Sequence, residues 1–424
     1  MLRGFFVQQG VVGNAARRGC GATVRVRFVK KHLKSLAKRM PKDALSMVYC
    51  WVIEDAMNKL HFTLPTEVFA GRGCVAKHAN RWILGRKALI VMGKTSARLS
   101  GALDDVCACL DVRQIPYTFF DGISANPDHT QVYAGAKVAT EKQCDFIVAI
   151  GGGSVIDAAK SIAWVAATGV TEEAFFNGVA ETDPVLPLAA IPLTCGTGSE
   201  VTQYSIITDH AAKTKKNVSS AVFFPRVALL DAHYLTSLPK EVLCDTALDA
   251  LSHAIEGIYS LRADALSHAL GETAIRALMP ALKRMAKGEP ADLAQLQYGA
   301  MVAGMVIAQA GTGLVHAMGY PLTYYKGMPH GRANGVLLAG YLAFMQSTCA
   351  ALTQRILAAA ELDSPEALQA LVDDLLDCQG CTRETPTEEE LERFMVDPLR
   401  LDVVRRYRTL PSPEEVKDLY RMGF

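Results

Sequence analysis

The chain has 424 residues, 50% of them hydrophobic, and its 44 Lys and Arg residues nearly balance 43 Asp and Glu residues, which gives a formal net charge of +1. This is the composition of a globular protein, and it excludes a collagen, a coiled coil and a disordered chain. The near-neutral balance argues against a dedicated nucleic-acid binder, and the length allows two or three domains.

The charge is unevenly distributed, because residues 1–42 contain eleven Lys and Arg residues and no acidic residue. Such a segment is either a transit peptide or an upstream extension before a later translation start at Met40, Met47 or Met57. The scarcity of Ser and the interrupting glycines favour the extension. We therefore predict that residues 1–56 lie outside the fold.

The eleven cysteines are scattered and odd in number, and the sequence shows no secretory signal. This pattern predicts free thiols in a reducing cytoplasm rather than a disulfide framework. Cys378 and Cys381 have the spacing of a CxxC motif, but a zinc site would need a second such pair, which the sequence lacks.

An uncharged stretch at 298–325 is long enough to cross a bilayer. Five glycines interrupt it, and it lacks a sustained run of large apolar residues. We interpret it as two buried helices joined at 311–313 inside a helical domain, and we expect no membrane partner.

Short apolar strands and helical segments alternate from Lys87 onward, which is typical of βαβ units on a parallel sheet. The predicted elements are, in chain order, a strand at 87–92, a helix at about 100–110, a strand at 117–120, a helix at about 129–142, a strand at 146–150, a helix at 155–167, and strands at 188–191 and 227–231.

The pattern changes after Leu238 to long amphipathic segments rich in Ala and Leu, with no convincing strand. The predicted helices lie at 244–259, 264–286, 292–310 and 364–377. The sequence therefore predicts an α/β domain over residues 57–238 and an all-α domain over residues 239–424.

The loop Gly151-Gly152-Gly153-Ser154 joins a buried strand to the start of a helix. Glycines let a ligand approach the backbone, and the first N–H groups of the helix favour an anion such as a pyrophosphate. A tight turn is the alternative interpretation. A second loop rich in Gly and Thr, at 194–199, favours nucleotide binding, although the motif is not the GxGxxG fingerprint after a first strand.

A second group of residues has the chemistry of metal ligands. Asp249 and His253 are four residues apart on one predicted helix, so both side chains can reach one point. His316 and His330 are further candidates in the same domain. One carboxylate and three imidazoles suit Fe(II), Zn(II), Co(II) or Ni(II) better than Mg(II) or Ca(II).

Together these motifs resemble the iron-containing alcohol dehydrogenase family, from about Met57 to the C-terminus. The resemblance is carried by GGGSVIDAAK at 151–160, PLTCGTGSEVT at 192–202, DALSHAIE at 249–256, His316, and PHG at 329–331. It implies an α/β dinucleotide-binding domain and an all-α metal-binding domain with a cleft between them, which is the dehydroquinate synthase-like fold. It also implies a homodimer or a higher homo-oligomer.

The resemblance implies the roles of individual residues. The metal ligands would be Asp249, His253, His316 and His330, with Fe(II) as the expected ion and Zn(II) as the alternative. The expected contacts to NAD or NADP are Gly93, Lys94, Ser96, Gly151, Gly152, Gly153, Ser154, Asp157, Thr194, Thr197, Ser199 and Lys216. The expected activity is that of an NAD(P)-dependent alcohol dehydrogenase or aldehyde reductase, in which the metal polarises the substrate oxygen for hydride transfer.

Two positions depart from the pattern of many relatives. Tyr320 replaces a histidine that would follow His316 by four residues and is thought to serve proton transfer; with a reference pKa near 10, tyrosine is a poorer shuttle at neutral pH. Gly93 replaces an Asp that accepts the adenosine 2′-hydroxyl, and Lys94 and Arg98 follow it. We therefore expect NADP to be accepted.

The expected substrates are small alcohols, diols or aldehydes, and the expected pocket residues are Phe176, Tyr320, Tyr324 and Lys326. A zinc-dependent polyol dehydrogenase is a close alternative with a different metal. A lyase of the dehydroquinate synthase type would need several cations for its substrate, whereas the segment 316–331 contains only Lys326. The intact set of ligands argues against a non-catalytic binding protein.

Overall fold

The computed structural model describes residues 60–212, 214–400 and 409–424, so the predicted N-terminal extension at 1–56 lies outside the described residues. A parallel six-stranded sheet has the spatial order β1-β8-β5-β4-β2-β3. Its strands are β1 (Glu67–Ala70), β2 (Ala88–Met92), β3 (Tyr117–Phe120), β4 (Phe146–Gly151), β5 (Leu188–Pro192) and β8 (Val227–Leu230). Two further strands, β6 (Tyr204–Asp209) and β7 (Thr214–Ser219), form an antiparallel hairpin.

Helices cover both faces of this sheet. Those of the N-terminal part are α1 (Cys74–Lys77), α2 (Ala79–Trp82), α3 (Ser96–Leu99), α4 (Ala102–Val112), α5 (His129–Glu141) and α6 (Gly153–Thr168). Alternate residues of β2 enter two different cores, with Leu89 and Val91 in one and Ala88, Ile90 and Met92 in the other. A strand that is buried on both faces has a continuously apolar sequence, which explains why these strands could be predicted.

The C-terminal part is helical in its described residues. Its helices are α7 (Lys240–Tyr259), α8 (Ala265–Met285), α9 (Leu293–Ala310), α10 (Leu314–Lys326), α11 (His330–Ala360, broken at Cys349), α12 (Pro365–Cys378), α13 (Glu388–Phe394), α14 (Asp397–Arg400) and α15 (Pro413–Met422). These observations confirm the predicted fold class. We place the proposed domain boundary at residue 238, between the sheet and α7.

The uncharged stretch forms α9 and α10, which meet at an angle of 109° where Gly311 adopts a positive φ of 77°. α11 is long and apolar enough to cross a membrane by length and composition, and half of its most apolar window is buried. It packs against α7, α10 and α12. Both segments therefore contribute to the core of the helical part.

Candidate active site

The glycine loop leads from β4 directly into α6, as the sequence predicts. Gly152 is the N-cap of α6 and has no side chain to cap it, so no side chain of the N-cap residue accepts from the first N–H groups of this 16-residue helix. A Cβ atom on Gly153 would lie 2.5 Å from Cγ2 of Thr197, and one on Gly152 would lie 3.0 Å from Cγ2 of Thr194. The glycines therefore also allow the two predicted loops to pack against each other.

A buried polar network fixes this contact. The Lys160 ammonium donates hydrogen bonds to Oγ of Ser199 (2.8 Å) and to the carbonyl oxygen of Tyr204 (2.7 Å). The Asp157 carboxylate accepts hydrogen bonds from Oγ of Ser199 and from the backbone N–H of Ile206. Burial lowers the pKa of Lys160 to about 8, although Asp157 and Glu200 act in the opposite direction. The predicted cofactor contacts Asp157 and Ser199 thus bind each other and join α6 to the second loop.

The four predicted metal ligands come together from three helices. Oδ1 of Asp249 lies 3.9 Å from Nε2 of His253, 3.6 Å from Nε2 of His316 and 3.8 Å from Nε2 of His330. The first two residues share one face of α7, His316 lies in the first turn of α10, and His330 begins α11. A Cβ atom on Gly331 would lie 1.8 Å from the carbonyl oxygen of Asp245, so only glycine lets α11 approach α7 this closely.

Glu256, which sequence reasoning did not assign to the site, orients His316. Its buried carboxylate accepts hydrogen bonds from the backbone N–H of Val315 (2.6 Å) and from Nδ1 of His316. It therefore caps the N-terminus of α10 and holds a proton on Nδ1 of His316, so that Nε2, once deprotonated, presents its lone pair beside Oδ1 of Asp249. The spacing of Asp249, His253 and Glu256 (i, i+4, i+7) places all three on one helix face and is a signal that could have found Glu256.

The donor set fits a divalent metal ion. Nε2 of His316 is buried and makes no hydrogen bond within the described residues. The donor atoms of Asp249, His316 and His330 lie within 4.8 Å of one another, which leaves room for one ion between them. A 3.3 Å contact between Nδ1 of His253 and the carbonyl oxygen of Gly196 holds the His253 ring in position.

The charges of these groups depend on one another. Burial alone would raise the pKa of Asp249, but the three histidines hold it below its ordinary value. Burial alone would lower the pKa of His316, but Glu256 and Asp249 outweigh it and raise the pKa to about 9. Burial and the nearby Lys215 ammonium hold the pKa of His330 well below its usual range.

A second cluster, formed by Cys244, Asp245 and Cys381, also brings metal-type donor atoms within 4.8 Å of one another. Both oxygens of Asp245 accept hydrogen bonds from the Arg332 guanidinium, at 2.9 and 3.1 Å, so an arginine already neutralises this carboxylate. Cys378 is the last residue of α12 and Cys381 follows that helix; both are free thiols.

A cavity of about 750 Å³ connects the glycine loop with the ligand cluster. The predicted residues on its wall are Gly153, Ser154, Asp157, Thr197, Ser199, Asp249, His253, His316, Tyr320 and His330. Tyr320 stacks on His330 with ring centroids 5.9 Å apart, and burial raises the pKa of its phenol above the ordinary value. One cavity thus holds the predicted pyrophosphate loop and the predicted metal ligands.

Three expected pocket residues do not line this cavity. Phe176 packs in an aromatic cluster with Phe175. Tyr324 is exposed on the outer side of α10. The Lys326 ammonium lies 3.0 Å from the Glu390 carboxylate. Tyr324 lies one turn beyond Tyr320 on α10 and Lys326 is the last residue of that helix, so both lie past the stretch of α10 that lines the cavity.

Lys216, an expected cofactor contact, does not line the cavity either. Its ammonium lies 2.7 Å from Oδ2 of Asp209 and above the ring of Phe176, away from the cavity. Successive residues of a strand face opposite sides, so Lys215 lines the cavity instead. Burial lowers the pKa of Lys215 to about 8, while Asp249 and Asp157 oppose this shift.

The remaining predicted contacts are not on the wall of this cavity. Gly151 ends β4, and Gly152 and Thr194 contact each other where the two loops pack. Gly93 follows β2, and Ser96 begins α3. Lys94 is exposed and lies 3.2 Å from Asp121 at the end of β3.

Comparison with known proteins gives a consistent result. The family model for iron-containing alcohol dehydrogenase matches residues 65–232, and that for the C-terminal part of the Fe-containing alcohol dehydrogenase family matches residues 243–393. The chain is 32% identical to alcohol dehydrogenase 4 of Schizosaccharomyces pombe, over 73% of this chain and 70% of that protein. It is 35% identical to lactaldehyde reductase of Escherichia coli, over 60% of this chain and 66% of that protein.

Solved structures resemble the fold closely. An iron-containing alcohol dehydrogenase from Thermotoga maritima is 33% identical with a TM-score of 0.78, covering 86% of this chain and 99% of that one. A 1,3-propanediol oxidoreductase is 27% identical with a TM-score of 0.78, over the same shares of the two chains. The chain therefore belongs to the iron-containing alcohol dehydrogenase family, and it is a metal-dependent alcohol dehydrogenase or aldehyde reductase.

Proposed function

We propose that the enzyme interconverts small primary alcohols or diols and their aldehydes with NAD or NADP, at one divalent metal held by Asp249, His253, His316 and His330. The observation that carries this proposal is that these donor atoms converge at one end of a cavity whose other end is the glycine loop. The names of relatives, which include lactaldehyde reductase and 1,3-propanediol dehydrogenase, support the substrate class.

Fe(II) is the first candidate for the metal, because the family is named for iron and one carboxylate with three imidazoles suits it. Zn(II) accepts the same donor set and is the second candidate. When bound, the metal supplies Lewis acidity at the substrate oxygen, and the nicotinamide gives or takes the hydride.

The residues of the chain prepare this chemistry. Glu256 fixes the ring proton of His316 on Nδ1, so its Nε2 remains a ligand. The side-chain amide of Asn334 donates a hydrogen bond to Oδ1 of Asp249 (2.9 Å) and so orients this carboxylate. Lys215 adds a positive charge to the cavity wall between the two ends, where an anionic cofactor would pass.

The decisive experiment is a screen of metal-free enzyme reconstituted with Fe(II) or Zn(II). Substrates are 1-butanol, 1,3-propanediol and lactaldehyde, each with both nicotinamide cofactors. Turnover that requires metal and cofactor is the expected result. Enzyme that carries stoichiometric metal and turns over no alcohol or aldehyde would refute the proposed substrate class. We also propose a homodimer working in the cytoplasm, which sedimentation and localisation of the full chain would test.

A further inference from the structure

The order of the strands aligns three features along one edge of the sheet. β4, β2 and β3 are neighbours and run parallel, so their carboxyl ends lie side by side. The glycine loop follows β4, Gly93 follows β2, and Asp121 follows β3. A dinucleotide whose pyrophosphate lies at a strand-to-helix loop reaches its adenosine ribose at the carboxyl end of a neighbouring strand. On the proposed nucleotide function, the ribose therefore lies near Gly93 and Asp121.

Three charged side chains meet at this point. The Lys94 ammonium lies 3.2 Å from Oδ1 of Asp121, and the Arg98 guanidinium lies 3.6 Å from its Oδ2. Arg98 also donates a hydrogen bond to the carbonyl oxygen of Lys94 at 2.8 Å, so its position does not depend on Asp121 alone. Two cations and one carboxylate give the cluster a local charge of about +1. Gly93 places no side chain between the cluster and the sheet edge.

We propose that Asp121 is a specificity-determining residue for the cofactor, which weakens binding of the adenosine 2′-phosphate while Lys94 and Arg98 attract it. A carboxylate repels a phosphate but accepts a hydrogen bond from a 2′-hydroxyl. The paired cations reduce this repulsion, so NADP and NAD are both accepted. Asp121 thus opposes binding of the 2′-phosphate and prevents a strict preference of the enzyme for NADP over NAD.

The test measures binding rather than turnover. The metal-loaded protein is titrated with NADPH and with NADH, and nicotinamide fluorescence reports the affinity of each. Asp121→Asn is expected to tighten NADPH binding and to leave NADH binding unchanged or weaker. Because the cluster is exposed, the gain in NADPH affinity should be only about 3- to 10-fold. Lys94→Ala should weaken NADPH binding by a similar factor, and the double variant with Asp121→Asn should recover much of the lost affinity.

A matched control is Glu141→Gln, which removes one exposed negative charge at the end of α5, just before the amino end of β4. It is expected to leave both affinities unchanged. Displacement by 2′,5′-ADP and 5′-AMP should give the same ratios without a nicotinamide. The difference between the variants should shrink at 1 M salt, where the Debye length is about 3 Å.

Two outcomes overturn the inference about Asp121. One is NADPH affinity that is unchanged or lowered in Asp121→Asn. The other is an effect seen with the complete cofactors but not with 2′,5′-ADP, which would place the cause away from the ribose. Failure of the wild-type protein to bind any of the four nucleotides would instead refute the proposed nucleotide site.

Discussion

Replacing Glu256 tests how the site prepares its ligands. Glu256 is fully buried, and its two oxygens accept hydrogen bonds from the N–H of Val315 and from Nδ1 of His316. Glu256→Gln keeps the shape but presents an amide N–H₂ to one of these donors. If it faces His316, the ring must carry its proton on Nε2, which removes the lone pair needed by the metal.

The expected loss of metal affinity is about 10- to 100-fold, as for other residues that orient a metal ligand, which equals about 1.4–2.8 kcal/mol. Competition with a chelator, using Zn(II) in air and Fe(II) without oxygen, measures it. Glu200→Gln is the matched control, since Glu200 is also a buried carboxylate but lies in the electrostatic field of Lys160 and not against a metal ligand. Equal metal affinity in Glu256→Gln and the wild type would refute the reasoning.

Three further variants test other parts of the structure. His330→Ala should lose both metal and turnover, and retention of stoichiometric metal with full activity would contradict its assignment. Gly153→Ala should weaken NADH binding by roughly tenfold while the metal content stays normal, because the new Cβ would lie 2.5 Å from Thr197. An unchanged NADH affinity in a fluorescence titration would contradict the importance of this loop packing for the cofactor. Arg332→Met should lower the free energy of unfolding in urea by about 3–5 kcal/mol by leaving Asp245 unpaired, and Asp245→Asn in the same chain should recover part of it.

The predictability of the fold follows from burial. β2, β4 and β5 are buried along their whole length, so each gives a continuous apolar run that was located to within one residue at either end. β1 and β3 are both four-residue edge strands that are only partly buried; β3 was located because its sequence, YTFF, consists of strong strand formers, whereas β1, EVFA, begins with a charged residue and was missed. β7 was missed because its sequence, TKKNVS, is mostly polar.

The predictability of the site follows from sequence separation. The proximity of Asp249 and His253 follows from helix periodicity alone. His316 and His330 reach them only because α10 and α11 begin against α7, a long-range packing that spacing does not encode. The residue types alone therefore made these two histidines candidates, and the family resemblance assigned them as ligands. The exchange of Lys216 for Lys215 has a different cause, since a shift of one residue in a strand reverses the side that it faces.

A substitution at Tyr320 tests whether the hydroxyl of this cavity-wall residue transfers a proton in the reaction. Its ring stacks on His330, and burial raises the pKa of its phenol, which makes it a weak proton donor and acceptor at neutral pH. Tyr320→Phe keeps the stacked ring and removes only the hydroxyl. We therefore expect the loss of kcat to stay below the roughly 10²-fold that general acid–base catalysis commonly contributes. Tyr324→Phe, the same change at an exposed position outside the cavity, is the control. A loss of 10²-fold or more at Tyr320 alone, with KM unchanged, would show that the hydroxyl carries a proton in the reaction despite its burial.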